Sequence, residues 1–350
     1  MTVPNAQFFR SRLQHSILAS PATRAGIAVA LALLCAGLLV MLAGADPIEA
    51  GRAIYFGAFG SVDRIVFGLN RATPYILCGT GVALCFRARI INIGGEGQIA
   101  LGGLCAAWAA FVFPAAGPLA ALGGGLLGGM AWAILAALIH VGRSVNEVVV
   151  TLLMNFIAVL IVEEALHGPL GETGAGFLQS PLLPDAYALP KLLAKTDLHA
   201  GILIAIAVAL AGQILLRRTS WGFALRVFGE SRRAAAYAGF SAAGLTIGIM
   251  ALAGAVAGLA GAIEVLGIHR RVIDGFSHGF GFNAIAVALL ATLEPWAVIP
   301  AGLFFGFLEA GTTAMQRQIG VPSSLVVVTQ GLTMLFVLAA MARAGRKTAG

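Results

Sequence analysis

Uninterrupted apolar stretches, each long enough to cross a bilayer, recur from Gly26 to Ala342 with only short polar breaks. A hydrocarbon core about 30 Å thick asks for roughly 20 such residues in a helix. Lipid offers no hydrogen bonds, so a spanning chain must satisfy its backbone internally, as helices or as a closed barrel. The stretches are continuous and do not alternate with period two, which selects helices. Of 350 residues, 59% are hydrophobic and 11% charged, too few charges to clothe a soluble domain of this size. The expected architecture is an all-α polytopic membrane bundle of about ten helices, some short or broken.

The expected spans are Ala25–Gly44, Ala72–Phe86, Gln98–Phe113, Leu119–Val141, Val145–Leu166, His199–Leu216, Ala242–Gly267, Asn283–Leu293, Ala297–Gln316 and Ser323–Met341. The eighth is too short to cross alone and reads as tilted, broken or re-entrant. Ala43-Gly44-Ala45 looks like a signal-peptide cleavage site, but the apolar run before it exceeds the usual h-region, so an uncleaved first span is expected. Placing both termini in the cytoplasm puts Arg87, Arg89, Arg143, Arg217, Arg218, Arg226, Arg232, Arg233, Arg343, Arg346 and Lys347 inside. Most acidic residues, Asp46, Glu49, Asp63, Glu172, Asp185 and Asp197 among them, then lie outside, as the positive-inside rule demands. The domain layout that follows is a cytoplasmic segment 1–24, a membrane domain 25–342 and a cytoplasmic tail 343–350. The membrane domain includes an external loop 167–198 and a cytoplasmic loop 217–241.

The net charge of +7 is thus accounted for by topology, and no basic block interleaved with aromatics points to nucleic acid. The four cysteines form no CxxC pair, sit in or beside apolar runs, and read as small fillers, not as a disulfide or metal site. The 46 glycines suit close helix packing, densest at Gly123–Gly125, Gly128-Gly129, and Gly254, Gly258 and Gly261. The loop His167–Asp197 carries Pro169, Pro181, Pro184 and Pro190, which forbid a regular helix and leave an ordered loop, either a landing surface for a soluble partner or a connector.

Four segments carry chemical signal. In Asn92-Ile93-Gly94-Gly95-Glu96-Gly97-Gln98, three glycines interrupt the helix and Glu96 is an ionisable group at the membrane edge. It reads as a gating element or as a turn with a solvated carboxylate. In Asn146–Asn155, Glu147, Thr151 and Asn155 recur every four residues on one face, a stripe that bonds a neighbouring helix or lines a route. In 217–241, Ser231 is placed to cap a short helix through the alanines and Gly239 to end it. Its arginines suit anionic lipid, but the capped helix with Trp221 and Tyr237 favours a protein partner. In Gly279-Phe280-Gly281-Phe282-Asn283, the aromatics could stack on a base or sugar face, or anchor at the interface.

Together, in this order and spacing, these segments resemble the permease subunits of ABC importers, in the branched-chain amino acid, simple sugar and nucleoside group, and within it the nucleoside type. The resemblance runs from about Pro47 to Leu338. It also takes in Arg71-Ala72-Thr73-Pro74, Phe86-Arg87-Ala88, His199-Ala200-Gly201-Ile202, Ala257–Gly267, and Ala314-Met315-Gln316-Arg317 with Gly320-Val321-Pro322-Ser323. Two departures stand out. Asn283-Ala284 replaces the family's usual Asp-Gly, and Ala291-Thr292-Leu293-Glu294 stands before Pro295 where the family usually has Gly-Arg-Asn.

The resemblance implies a subunit with no catalytic residues, no metal and no bound cofactor, ATP being used by a separate cytoplasmic ATPase. A second homologous permease would complete the pore as a heterodimer, and an extracytoplasmic binding protein would deliver the solute. The setting would be the bacterial cytoplasmic membrane. Arg217, Arg218, Gly222, Arg226, Gly229, Arg232 and Arg233 would face the ATPase. Asn92, Glu96, Asn155, Phe280, Phe282 and Asn283 are the candidate solute-path residues. Nucleosides are the expected solute, with ribose-like sugars or branched-chain amino acids as the alternative. A stand-alone secondary transporter would show paired buried charges and repeated broken helices. A membrane enzyme would show HExxH or a His–carboxylate cluster, and the sequence has no HExxH. The absence of GxxxxGK[ST] places any ATP hydrolysis on another chain.

Overall fold

The computed structural model describes residues 34–320 except 36 and 43, together with 322, 328, 331 and 332. Segment 1–24, most of the expected span Ala25–Gly44, nearly all of Ser323–Met341 and tail 343–350 lie outside the described residues, and so does the placing of the termini. The chain divides into two compact units, one running to Gly60 and resuming at Leu308, the other Ser61–Phe307.

In the first unit, α1 (Pro47–Phe59) opens on Asp46, whose carboxylate accepts from the Ile48 amide at 2.8 Å, with Pro47 at the first helical position. The hydropathy pattern does not predict this helix, because Glu49 and Arg52 interrupt its apolar residues. Val40, Ala50, Ala53 and Met315 form its small core.

The second unit begins with α2 (Val62–Arg87), capped by Ser61. It starts ten residues before the expected Ala72, because Asp63, Arg64, Asn70 and Arg71 hide its first turns from a hydropathy window. Then follow α3 (Gly95–Val112), α4 (Pro118–Arg143) and α5 (Glu147–His167), the last capped by Asn146. After the proline-rich loop come α6 (Gly201–Arg218), α7 (Ser220–Glu230), α8 (Arg232–Tyr237) and α9 (Ala242–Glu264), which ends in a π turn Val265–His269. The series closes with α10 (Phe280–Leu290), a 3-10 turn Pro295–Ala297 and the start of α11 (Val298–Ile319), whose residues from Leu308 onward belong to the first unit. Five stretches among the described residues are long and apolar enough to cross a membrane: Pro118–Arg143, Glu147–His167, Gly201–Arg218, Ala242–His269 and Pro295–Ile319. With 11 residues, α10 reaches only about 16 Å, half a bilayer.

The centre of this unit is α9, with 89% of its apolar stretch buried, against 28% for α4. It is gripped by α3 and α4 at backbone distance. A Cβ built on Gly258 would stand 2.2 Å from the Gly125 carbonyl oxygen, and one on Gly102 only 2.3 Å from the Gly258 Cα. A Cβ on Gly129 would likewise stand 2.3 Å from the Gly254 carbonyl oxygen. Helices approach to this degree only where both surfaces lack side chains. The outer faces of α4, α5 and α6 present Leu127, Leu135, Phe156, Leu160, Leu203 and Ile214, all exposed, as lipid-facing surfaces do.

The proline-rich loop is ordered, as its sequence implies. It pairs with the segment after the π turn: the Ser180 amide donates to Val272 O at 2.8 Å, the Leu183 amide to Arg270 O at 2.8 Å, and the Asp274 amide to Leu178 O at 3.0 Å. Arg270–Asp185 (3.0 Å) and Arg271–Glu172 (2.9 Å) reinforce the pairing.

Candidate functional site

The glycine-rich segment after α2 does not end a helix. Gly95, Glu96 and Gly97 form the first turn of α3, and its glycines serve close approach. A Cβ on Gly97 would fall 2.9 Å from the Ala158 Cβ and 3.0 Å from the Asn155 Cα. The polar stripe of α5 closes on this turn. Asn155 Oδ1 accepts from the Gly97 amide and its Nδ2 donates to Ile93 O, both at 2.9 Å. Thr151 Oγ1 accepts from the Ile93 amide at 3.2 Å while donating to Glu147 O at 2.8 Å. Asn92 Oδ1 takes the Gly94 amide at 2.9 Å and Gln98 Nε2 at 3.2 Å. Asn92 and Asn155 are therefore buried with their polar atoms engaged in holding the backbone of 92–98.

Glu96 reaches the other way. Its Oε1 accepts from the Gly279 amide at 3.0 Å and its Oε2 from the Gly281 amide at 2.9 Å. The opening turn of a helix leaves N–H groups without partners and carries positive potential, and a carboxylate answers both. Here the cap for α10 comes from a different helix. Gly281 permits it, since a Cβ there would stand 2.1 Å from the Glu96 nitrogen. Gly279 holds φ +77°, the left-handed region.

Of the aromatics on α10, Phe280 is fully buried, edge-on to Tyr75 at 5.0 Å, with the Arg71 guanidinium 5.6 Å from its centroid. Phe282 is exposed, and half-buried Asn283 donates to the Tyr75 hydroxyl at 3.3 Å. Beneath Phe280 lies an ion pair, Arg71–Glu264 at 3.5 Å, with His269 Nε2 at 3.6 Å from the same carboxylate. Arg71, Tyr75, Glu264 and His269 were not among the sequence candidates. A carboxylate inside the apolar run Ala242–Gly267 is the signal that would have found Glu264, because charges at membrane depth rarely stand without purpose.

On the other candidate surface, Thr219 and Ser231 cap α7 and α8, accepting from Gly222 at 3.0 Å and Ala234 at 3.2 Å. Gly222 and Gly229 are seats. Cβ atoms on them would meet Leu215 O at 2.0 Å and Arg87 O at 2.1 Å. Arg226 turns inward to bond the Leu216 carbonyl, and Arg217 pairs with Glu294. Arg232 lies over the Phe228 ring at 5.4 Å. Arg218, Arg232, Arg233 and, at 93% exposure, Tyr237 stand outward. Beside them runs a shallow groove of about 380 Å³ lined by Arg87, Phe223, Arg226, Val227, Glu230, Ser231 and Ala234.

A polytopic helical protein with a short half-helix braced in its core and a capped basic helix pair projecting from it has the build of a transport subunit. Residues 64–338 match the family described as branched-chain amino acid transport system, permease component. The chain belongs to that family, and is a permease subunit of the ABC transporter class. It is 33% identical over 326 residues to the glucose ABC transporter permease protein TsgB13 of Haloferax volcanii, covering 89% of this chain and 86% of the relative. It is 33% identical over 323 residues to the guanosine ABC transporter permease protein NupP of Bacillus subtilis, covering 88% and 91%. With the nucleoside ABC transporter permease protein NupB of Lactococcus lactis it shares 27% over 335 residues, 89% of each chain. No solved structure matches.

Proposed function

We propose that this permease subunit carries nucleosides inward across a bacterial cytoplasmic membrane, driven by a separate ATPase docked on α7 and α8 and supplied by an external binding protein. A second, related permease would complete the path; the same Bacillus subtilis that has NupP also has the guanosine permease NupQ, 28% identical to this chain over 254 residues. The observation that carries the reading is the α7–α8 pair, where seating residues point inward while Arg218, Arg232, Arg233 and Tyr237 are exposed on the outward face. Within the path, Phe282 and Asn283 are the side chains presented to solute. Asn92, Glu96, Asn155 and Phe280 act from behind, by fixing α10.

Uptake of labelled guanosine and adenosine by cells expressing the whole transporter, with and without this chain, tests the solute. ATP-dependent uptake that needs the chain and resists excess ribose, glucose and leucine is the expected result. Chain-dependent uptake of a sugar instead would favour the second reading, which the likeness to TsgB13 supports equally in identity.

The docking surface has its own test. Arg226 and Gly229 are built into the fold, so informative changes lie at Arg232 and Tyr237. Arg232→Glu with Tyr237→Ala should weaken ATPase retention on the captured complex by at least about 30-fold, the scale of an interface hot spot. An ATPase retained as in the wild type would move the docking surface elsewhere.

A further inference from the structure

Glu294 stands in the turn between α10 and the 3-10 turn that opens α11. Its carboxylate is held by three side chains from two other helices. Arg87, the last residue of α2, and Arg217, near the end of α6, both pair with Oε1. Gln213 Nε2 donates to Oε2 at 3.2 Å. Arg87 grips the turn a second time, its Nε donating to Leu293 O at 3.1 Å.

The turn needs holding. Thr292 and Leu293 both adopt left-handed backbone, φ 51° and 60°, a region that side chains, β-branched ones above all, avoid. Such a conformation persists where its surroundings over-determine it. The same two arginines mark the places where α7 is seated. Gly229 packs on the Arg87 carbonyl, and Arg226 bonds the carbonyl of Leu216, the neighbour of Arg217. The base of α10 and the helix α7 are thus fastened to the same ends of α2 and α6.

We infer that Glu294 is a positioning residue for transport, the link by which movement of α7 is passed to α10 and so to Phe282 and Asn283. This rests on the reading of α7 and α8 as the ATPase-facing surface. Without the carboxylate, two guanidinium groups face each other with nothing between them, and the strained turn loses its anchor. The outward face of α7–α8 is untouched, so the ATPase stays bound and hydrolyses ATP while α10 no longer follows.

The test uses the whole transporter in proteoliposomes with labelled guanosine. Glu294→Gln should lower solute carried per ATP by about fivefold or more, the scale of a coupling between sites, with the ATPase still bound. Glu294→Asp, which keeps the charge, should restore most of it. Arg217→Ala should lower the ratio too, and adding it to Glu294→Gln should bring little further loss, as for members of one network. A merely structural role would lower melting temperature, hydrolysis and uptake together. An unchanged ratio in Glu294→Gln overturns the inference. If the wild-type complex carries no guanosine, the proposed function fails separately. The link is then judged in the full chain in nanodiscs by spin labels at Ser220 on α7 and Leu289 on α10, both exposed. The distance distribution should broaden in Glu294→Gln, and an unchanged distribution overturns the link.

Discussion

Gly258→Leu should prevent the folded permease from accumulating. The four added carbons have no direction in which to go. The Cβ alone would overlap the Gly125 carbonyl oxygen at 2.2 Å, and the Gly129 Cα and nitrogen lie at 2.8 and 2.9 Å. These obstacles are backbone atoms of a neighbouring helix, so no side-chain rotation makes room. Overpacking costs about 1–3 kcal/mol where side chains can shift, and a backbone obstacle puts the cost at or above the top of that range. Even Gly258→Ala meets the same first carbon. Recovery of monodisperse protein and its melting temperature are the measurements. A Gly258→Leu protein that melts with the wild type would show that α4 and α9 do not touch at this seam.

Glu96→Ala should abolish uptake and also weaken the protein, with Glu96→Gln between it and the wild type. Alanine leaves the half-buried Gly279 amide and the buried Gly281 amide, both donors to the carboxylate, without that partner. Each such orphan costs about 1–3 kcal/mol. Glutamine keeps one carbonyl oxygen and serves one of the two. The loss falls on the first turn of α10, which presents Phe282 and Asn283. Uptake and melting temperature should therefore fall in the same order, wild type, glutamine, alanine. Loss of uptake in Glu96→Ala with unchanged melting would assign Glu96 to the solute instead of to the helix end.

Local signals in the sequence were reliable where one turn of chain decides the outcome. Ser231 caps as its position implies, Gly239 takes φ +80°, and the loop after α5 with its four prolines forms no α-helix. The glycines at 94–97 show why other features were not legible. The residue that breaks a helix is also the one that lets two helices touch, and what separates the outcomes is the neighbour, Ala158 and Asn155 on α5. The site was obscured for the same reason. Glu96 and Asn155 each announce a buried polar group, but their partners, the amides of Gly279, Gly281 and Gly97, are backbone atoms that no pattern of side chains records. Arg71 and Glu264 pair across nearly two hundred residues of chain, and neither alone predicts the other.

The glycine seam between α3, α4 and α9 limits how such a molecule can move. Helices separated by side chains can slide, because rotamers exchange one set of contacts for another. Helices resting backbone on backbone have no such intermediate positions, and a small translation drives carbonyl oxygens into Cα atoms. The three must move as one rigid body or part completely. A change of access to the two sides of the membrane then falls to the elements outside the seam. Among these is α10, a half-length helix capped by one carboxylate at its head and ended by one strained turn at its foot.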